Sequence, residues 1–326
     1  MRFTFADLFA GIGGFRLGME AVGGECVYTS EWNKHAQKTY KANHEVNHPF
    51  DGDITKVDAK DIPNFDVLCG GFPCQPFSSA GARQGFQNET QGTLFFDMAR
   101  IIKEKQPKCF ILENVPGLVH HDGGKTLRVI NRTLATELGY HVRMGIINAV
   151  HWVPQRRKRL FIVGFKNTTD FDFGQIYKPD SNLTVADILE SDENVWGKYI
   201  MNGTGQAYVQ RHLDKKKKGI VAVGMNCTQP GQVCATLEAD YITGRRAPYV
   251  YSPGKYRFFT PLECVRIMGF PEDFIFPVSE GQQYKQLGNS VVPAVISALA
   301  GVVISNLESE KIAHRAVIDG QFILTS

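Results

Sequence analysis

The chain has 326 residues, 43% of them hydrophobic, with a formal net charge of +3 and a pI near 8.4. That length can bury a full core in one large domain or two, and the mild basicity permits a nucleic-acid partner without demanding one. Seven cysteines without a repeating spacing argue against a disulfide framework and against structural zinc. No metal is therefore expected, and a reducing cytoplasm fits. The opening Met1-Arg2-Phe3-Thr4 passes straight into a strand pattern, so no leader peptide and no bilayer-spanning run are expected.

Phe3 to Phe9 alternates as a strand and runs into Ala10-Gly11-Ile12-Gly13-Gly14, then Phe15-Arg16-Leu17-Gly18. Strand, glycine turn and helix in this order bring backbone N–H groups close to a ligand; a purely structural turn reads the same way. Cys26 to Ser30 is a second strand. It delivers Glu31, placed to accept from a ribose diol, and Trp32, placed to stack on an adenine. A helix is predicted over 34–43. Gly52-Asp53-Ile54-Thr55 then closes a third strand–helix step, with Asp53 facing an adenine amino group. Each carboxylate alone is more often a solvated cap or loop residue; together at successive strand ends they favour a nucleoside site.

Asp66-Val67-Leu68-Cys69 is a buried strand, and Gly70-Gly71-Phe72-Pro73-Cys74-Gln75-Pro76 breaks it. Cys74 thus stands on a rigid loop at a strand's carboxyl end, as a candidate nucleophile or a small buried hydrophobe. Ser78 to Gly92 is a long aperiodic loop, and a helix follows over 92–102. Cys109 to Leu112 is a strand that delivers Glu113, a carboxyl whose burial would raise its pKa. A helix over 125–138 precedes a strand pair, 140–150 and 158–165. Their connection holds Gln155-Arg156-Arg157-Lys158-Arg159, readable as a solvated face or as an anion- or base-binding strand end.

From about 167 helical periodicity weakens, and a small second domain poor in regular helix is expected. In it Lys215 to Lys218 reads as a solvated loop, 233–237 and 247–251 as short strands, and Arg245-Arg246 as a turn. Thr260-Pro261-Leu262-Glu263 starts a helix with N-cap, first-turn proline and capping box, ending at Gly269. Gly288-Asn289-Ser290-Val291-Val292-Pro293 opens an apolar helix to about Ser305 that packs back on the first domain.

Taken together these blocks resemble the DNA cytosine-5 methyltransferases. The ordered motifs are Asp7-Leu8-Phe9-Ala10-Gly11-Ile12-Gly13-Gly14, Glu31-Trp32, Gly52-Asp53-Ile54, Gly71-Phe72-Pro73-Cys74-Gln75, Gly92-Thr93-Leu94-Phe95, Glu113-Asn114-Val115 and Gln155-Arg156-Arg157-Lys158-Arg159. The block from Arg257 to Pro271 and Gly288-Asn289-Ser290-Val291 complete them. The resemblance covers nearly all of 3–303 except about 167–256, where family members place a variable target-recognition domain. It implies an α/β, Rossmann-like sheet domain that uses S-adenosylmethionine, over 1–166. A smaller, loop-rich target-recognition domain follows over 167–283, and a returning helix with a tail over 284–326.

By resemblance Cys74 adds to C6 of a flipped-out cytosine in double-stranded DNA, Glu113 faces N3, and Arg159, supported by Arg157, donates to O2. Phe9, Ile12, Gly14, Glu31, Trp32, Asp53, Ile54, Gly71, Pro73, Leu94, Asn289 and Ser290 would surround the cofactor. Gln75, Ser78, Arg83, Gln229, Gln232, Thr236, Arg245 and Arg246 are candidates for DNA contact. Many family members carry alanine after Pro-Cys-Gln; Pro76 here implies a stiffer loop. The resemblance further implies a cytoplasmic, monomeric bacterial modification enzyme, with a separately encoded restriction endonuclease as a candidate partner. An RNA cytosine methyltransferase, an inactive DNA-binding relative and an amino methyltransferase are the competing readings. The Phe72-Pro73-Cys74 loop argues against the last of these, because transfer to an amino nitrogen needs no cysteine.

Overall fold

The computed structural model describes residues 2–72, 94–191, 195, 197–217, 226–241, 248–252 and 255–318. Eight strands come first in the chain: β1 (Phe3–Leu8), β2 (Gly24–Ser30), β3 (Phe50–Asp51), β4 (Val67–Gly71), β5 (Cys109–Asn114), β6 (His141–Asn148), β7 (Gln155–Arg156) and β8 (Lys158–Phe165). All but β7 form one sheet in the order β3-β2-β1-β4-β5-β8-β6. Between β1 and β5 every pairing is parallel, whereas β8 runs antiparallel to both β5 and β6. The carboxyl ends of β1 to β5 and the amino end of β8 therefore share one edge.

The central strands read as nearly continuous apolar runs because both faces of the sheet are covered. Phe5, Val67, Cys69, Cys109 and Ile111 enter one buried cluster; Ala6, Leu68, Phe110 and Leu112 enter the other. Helices α1 (Gly14–Glu20), α2 (Lys34–Asn43), α3 (Leu94–Lys105) and α4 (Lys125–Asn131) connect these strands. The predicted helix over 34–43 is found with those bounds, capped by Asn33. That over 125–138 is divided, because a wider π turn takes over from Arg132 to Glu137. The step at 52–55 ends in a single 3₁₀ turn that Asp53 caps, not in a full helix.

Beyond 166 come α5 (Gly203–Lys217), β9 (Asn226–Thr228), β10 (Cys234–Ala235), β11 (Pro248–Ser252), β12 (Lys255–Arg257), α6 (Pro261–Met268), α7 (Glu280–Asn289) and α8 (Pro293–Ile318). A three-stranded sheet runs β12-β11-β9, and β10 pairs with β7. One expectation fails here: Lys215 to Lys217 lie on α5 rather than on a loop. The periodicity of α5 is weak because glutamine side chains help hold it. Gln206 donates to Tyr256 O at 2.8 Å and accepts from Tyr256 N at 2.8 Å, and Gln210 accepts from the Tyr256 hydroxyl at 2.9 Å. The larger buried cluster also runs on through Val209, Val250 and Phe259, so the core is continuous across 166/167.

The helix start at Thr260 is as predicted: a reciprocal capping box, Pro261 in the first turn and Gly269 left-handed at φ 68° as C-cap. Glu263 does more than close the box. It is fully buried and takes both arms of Arg257 at 2.8 Å. The stretch Glu280–Glu308 is, by length and composition, apolar enough to cross a membrane, contrary to the expectation from the sequence. It comprises α7 and most of α8. Leu299, Ala300 and Val303 are fully buried in the protein core, which accounts for that composition.

Helix α8 lies close against α1. A Cβ placed on Gly18 would stand 2.5 Å from Ile296 Cβ and 2.8 Å from Pro293 O. Gly18→Val is therefore expected to destabilise the protein by about 1–3 kcal/mol. Gly281→Ala, with nothing within 4 Å of the added methyl, is expected to gain about 0.5 kcal/mol instead. Thermal melts of both variants check the contrast; equal shifts would mean that α1 and α8 are not in register as described.

Candidate active site

Two groups of residues meet along the shared edge of the sheet. The first surrounds the turn after β1. Phe9, Gly11 and Gly13 take left-handed backbone angles, with φ of 55°, 58° and 88°. The Gly11 N–H donates to Glu31 Oε2 at 2.8 Å, and the Asn33 N–H donates to Oε1 at 2.7 Å. Both oxygens of Glu31 are thereby oriented, yet a carboxylate has capacity for about four donors, so acceptor sites remain. Burial raises the Glu31 pKa, and the backbone donors oppose that rise. Next to it Trp32 is 76% exposed, a large indole left in solvent. Beneath the turn, His44 packs where a Gly13 side chain would stand, and its Nε2 lies 3.2 Å from Ile12 O. Burial lowers the His44 pKa to about 4, so the ring is neutral at pH 7.

The other predicted members of this group divide. Ile12 and Ile54 turn their side chains into the core. Phe9 and Leu94 pack at the edge of the second cluster. Asp53 accepts from the Thr55 backbone and hydroxyl at 3.2 and 2.7 Å, and these bonds lower its pKa. Ser290 reaches Gly14: a Cβ on Gly14 would stand 2.7 Å from Ser290 Oγ. Two motifs far apart in sequence, the glycine turn and the stretch before α8, thus form one wall. An open left-handed turn, a carboxylate with spare acceptor capacity and an exposed indole suit an adenosine with a positively charged substituent. The residues present therefore fit S-adenosylmethionine.

The second group centres on Glu113. Strand register places Gly71 beside it, and a Cβ on Gly71 would stand 2.8 Å from Glu113 Oε2. Gly71 is glycine because the carboxylate lies over it. On the other side Arg159 Nε donates to Glu113 Oε1 at 2.9 Å, with both side chains less than a fifth exposed. Burial pushes the Glu113 pKa up; the positive charges of Arg159 and then Arg157 oppose the rise. Asn114 fixes the neighbouring backbone by donating to Phe72 O at 2.8 Å. Cys74, Pro73, Gln75, Ser78 and Arg83 lie outside the described residues, as do Arg245 and Arg246.

Arg157 is not placed as expected for a donor to the base. Its guanidinium donates to Leu237 O, Gly288 O and Ser290 O at 2.8, 2.8 and 2.5 Å. Burial and then repulsion from Arg159 lower its pKa to about 9, so it carries its charge at neutral pH. Gln155, unassigned in the sequence reading, is fully buried beside it and accepts from the Leu237 N–H at 2.8 Å. The signal for both was present: Gln155, Arg157 and Arg159 alternate with the exposed Arg156 and Lys158, the period of a strand. Of the DNA-contact candidates, Thr236 donates to Arg156 O at 2.8 Å, while Gln229 and Gln232 close a turn on each other.

A sequence model of the C-5 cytosine-specific DNA methylase family matches residues 3–305. The chain is 44% identical to the Type II methyltransferase M.SsoII of Shigella sonnei over 320 residues, covering 94% of this chain and 82% of that protein. It is 39% identical to the Type II methyltransferase M.HhaI of Haemophilus parahaemolyticus over 314 residues, covering 93% and 94%. Among solved structures, the Dnmt2 methyltransferase of S. pombe aligns with a TM-score of 0.74 at 20% identity, covering 94% of this chain and 99% of that one. At that identity the likeness speaks for the fold.

Gly71→Ala tests the geometry directly. The added methyl displaces the Glu113 carboxylate, so turnover is expected to fall at least about tenfold, a loss of about 1.4 kcal/mol in barrier lowering. The melting temperature is expected to move little. Undiminished turnover would place the carboxylate elsewhere in the working enzyme.

Proposed function

The chain belongs to the C-5 cytosine-specific DNA methylase family, and from that premise we propose a mechanism that uses the residues gathered at the sheet edge. The enzyme is a DNA cytosine-5 methyltransferase with S-adenosylmethionine as cofactor, of the type that serves restriction–modification. When bound, the cofactor supplies an electrophilic methyl group. In the proposed site Glu31 takes the ribose hydroxyls, Trp32 covers the adenine, Asp53 and Ile54 meet its edge, and Asn289 and Ser290 close the wall opposite Gly14.

C5 of cytosine is a weak nucleophile until C6 is attacked. In our reading the Cys74 thiolate adds to C6, forming the S–C6 bond and moving the C5–C6 π electrons onto C5. Glu113 holds a proton at N3, which withdraws charge from the ring, and Arg159 donates to O2 while orienting Glu113. C5 would take the methyl group as the sulfonium S–CH3 bond breaks, leaving S-adenosylhomocysteine; the C5 proton then goes to a base, its electron pair reforms the C5–C6 double bond, and the Cys74 thiolate departs. The target base leaves the duplex to reach these groups. The carrying observation is the Glu113–Arg159 pair lying over Gly71. A division near 166/167, double-stranded DNA contact through 229–246 and the 73–93 loop, a cytoplasmic monomer and a cognate endonuclease complete the proposal.

Methylation mapping tests it. The purified chain and S-adenosylmethionine are incubated with unmodified genomic DNA, and 5-methylcytosine is read at base resolution. One short motif modified throughout is expected, and Cys74→Ser is expected to abolish transfer while DNA binding persists. Methylation of RNA alone, or turnover retained by Cys74→Ser, would overturn the reading.

The raised pKa of Glu113 sets a pH dependence. Its proton is present below that pKa, so kcat is expected to fall as pH rises through it. Arg159 lowers the same pKa. Arg159→Met should therefore move the break to higher pH as well as reduce kcat. A break that stays in place or moves down would separate Glu113 from the N3 proton.

A further inference from the structure

Leu237 is gripped at both ends by Gln155 on β7 and by Arg157 in the step between β7 and β8. Its N–H donates to Gln155 Oε1 at 2.8 Å and its carbonyl accepts from Arg157 Nη1 at 2.8 Å. Just upstream, β10 pairs with β7 in parallel, Cys234 opposite Gln155 and Ala235 opposite Arg156. The second arm of Arg157 reaches in another direction, to Gly288 O and Ser290 O. These two backbone stretches also touch. A Cβ on Gly288 would stand 2.4 Å from Glu238 C and O, so the backbone at 238–239 lies against the last turn of α7. Gln155 Nε2 adds a bond to Ile267 O at 3.2 Å, near the end of α6. Two residues further along the chain Arg159 holds Glu113.

We propose that Arg157, with Gln155, is a positioning residue that registers the DNA-facing stretch 234–239 and the cofactor-facing end of α7 at 288–290 on the segment leading into the strand that orients Glu113. This rests on the assignment of Thr236 to DNA and of Ser290 to the cofactor given above. Three of the five N–H donors of Arg157 are taken by carbonyls, both of those on Nη2 among them, and its buried Nε has no partner among the described residues. Turning the guanidinium towards the base would draw those three donors off their carbonyls and leave buried acceptors unsatisfied. A lysine keeps the charge but cannot bridge three acceptors with a planar fork. The consequence is that cofactor placement and sequence readout share one constraint.

The test uses the full chain and S-adenosylhomocysteine, which binds without reacting. Arg157→Lys is expected to weaken S-adenosylhomocysteine at least about tenfold in the absence of DNA. It is also expected to lower the ratio of cognate to one-mismatch methylation. Arg159→Lys is expected to change neither and to reduce kcat alone. An Arg157→Lys protein that keeps wild-type affinity and site ratio while losing kcat would make Arg157 a base contact and overturn the proposal.

Should Arg157→Lys fail to fold, hydrogen exchange on the unaltered chain decides. S-adenosylhomocysteine should slow exchange at 234–239 as well as at 288–290; protection confined to 288–290 overturns the proposal. A wild-type chain that methylates no DNA would defeat the functional reading. A methylating chain with 234–239 uncoupled would defeat this inference alone.

Discussion

A buried guanidinium cannot be left unpaired, and here one such group determines how distant parts of the chain meet. Arg157 is 2% exposed, and its bonded acceptors are backbone carbonyls from 237, 288 and 290. Removing a charge from water is costly, and backbone carbonyls return part of that cost only when the geometry is good. The requirement fixes the geometry. The stretch after β10 and the end of α7 must both come to Arg157, the residue just ahead of strand β8. That strand begins at the sheet edge because β8 is inserted antiparallel beside β5, which puts its amino end, and so Arg159, next to the carboxyl end bearing Glu113.

The other side of the edge is shaped by absent side chains. Gly71 leaves room for the Glu113 carboxylate, Gly13 for the His44 ring and Gly14 for Ser290. In each case the added Cβ would come within 3 Å of its neighbour, closer than such contacts are ever found. These glycines are thus dictated by approach between chain segments. At Gly13 the left-handed backbone adds a second reason. The same economy governs Glu31. Two backbone donors hold its carboxylate in place without consuming its acceptor capacity, so burial does not leave it idle.

Much of this arrangement could be read from residue order alone. The strand–glycine–helix opening, the acidic strand ends at Glu31 and Glu113, the helix over 34–43 and the capped start at Thr260 are all governed by local rules of periodicity, turns and caps. Helix α5 was not legible, because Gln206 and Gln210 tie it to Tyr256 and only distant partners reveal that. Arg157 was legible as buried or exposed only by choosing between two periods. As a run of like charges it reads as a solvated face; as a strand it reads as Gln155, Arg157 and Arg159 pointing inward. What it holds lies about eighty residues and more away, at separations no local rule addresses.

On the reading proposed above, the division of labour along 155–159 also separates the recognition stretch from the chemistry. Leu237 is held through its peptide N–H and carbonyl, and Gly288 and Ser290 through their carbonyls. Backbone groups are common to nearly all residue types. Side chains on the held stretch are therefore free to change without loosening the grip, apart from positions such as Gly288 where the chains lie in contact. Specificity for a DNA sequence is carried by side chains facing a groove, whereas placement of the segment is carried by its peptide groups. In the proposed enzyme, that separation leaves side chains on the held stretch exchangeable while Glu113, Arg159 and the glycine turn keep their positions.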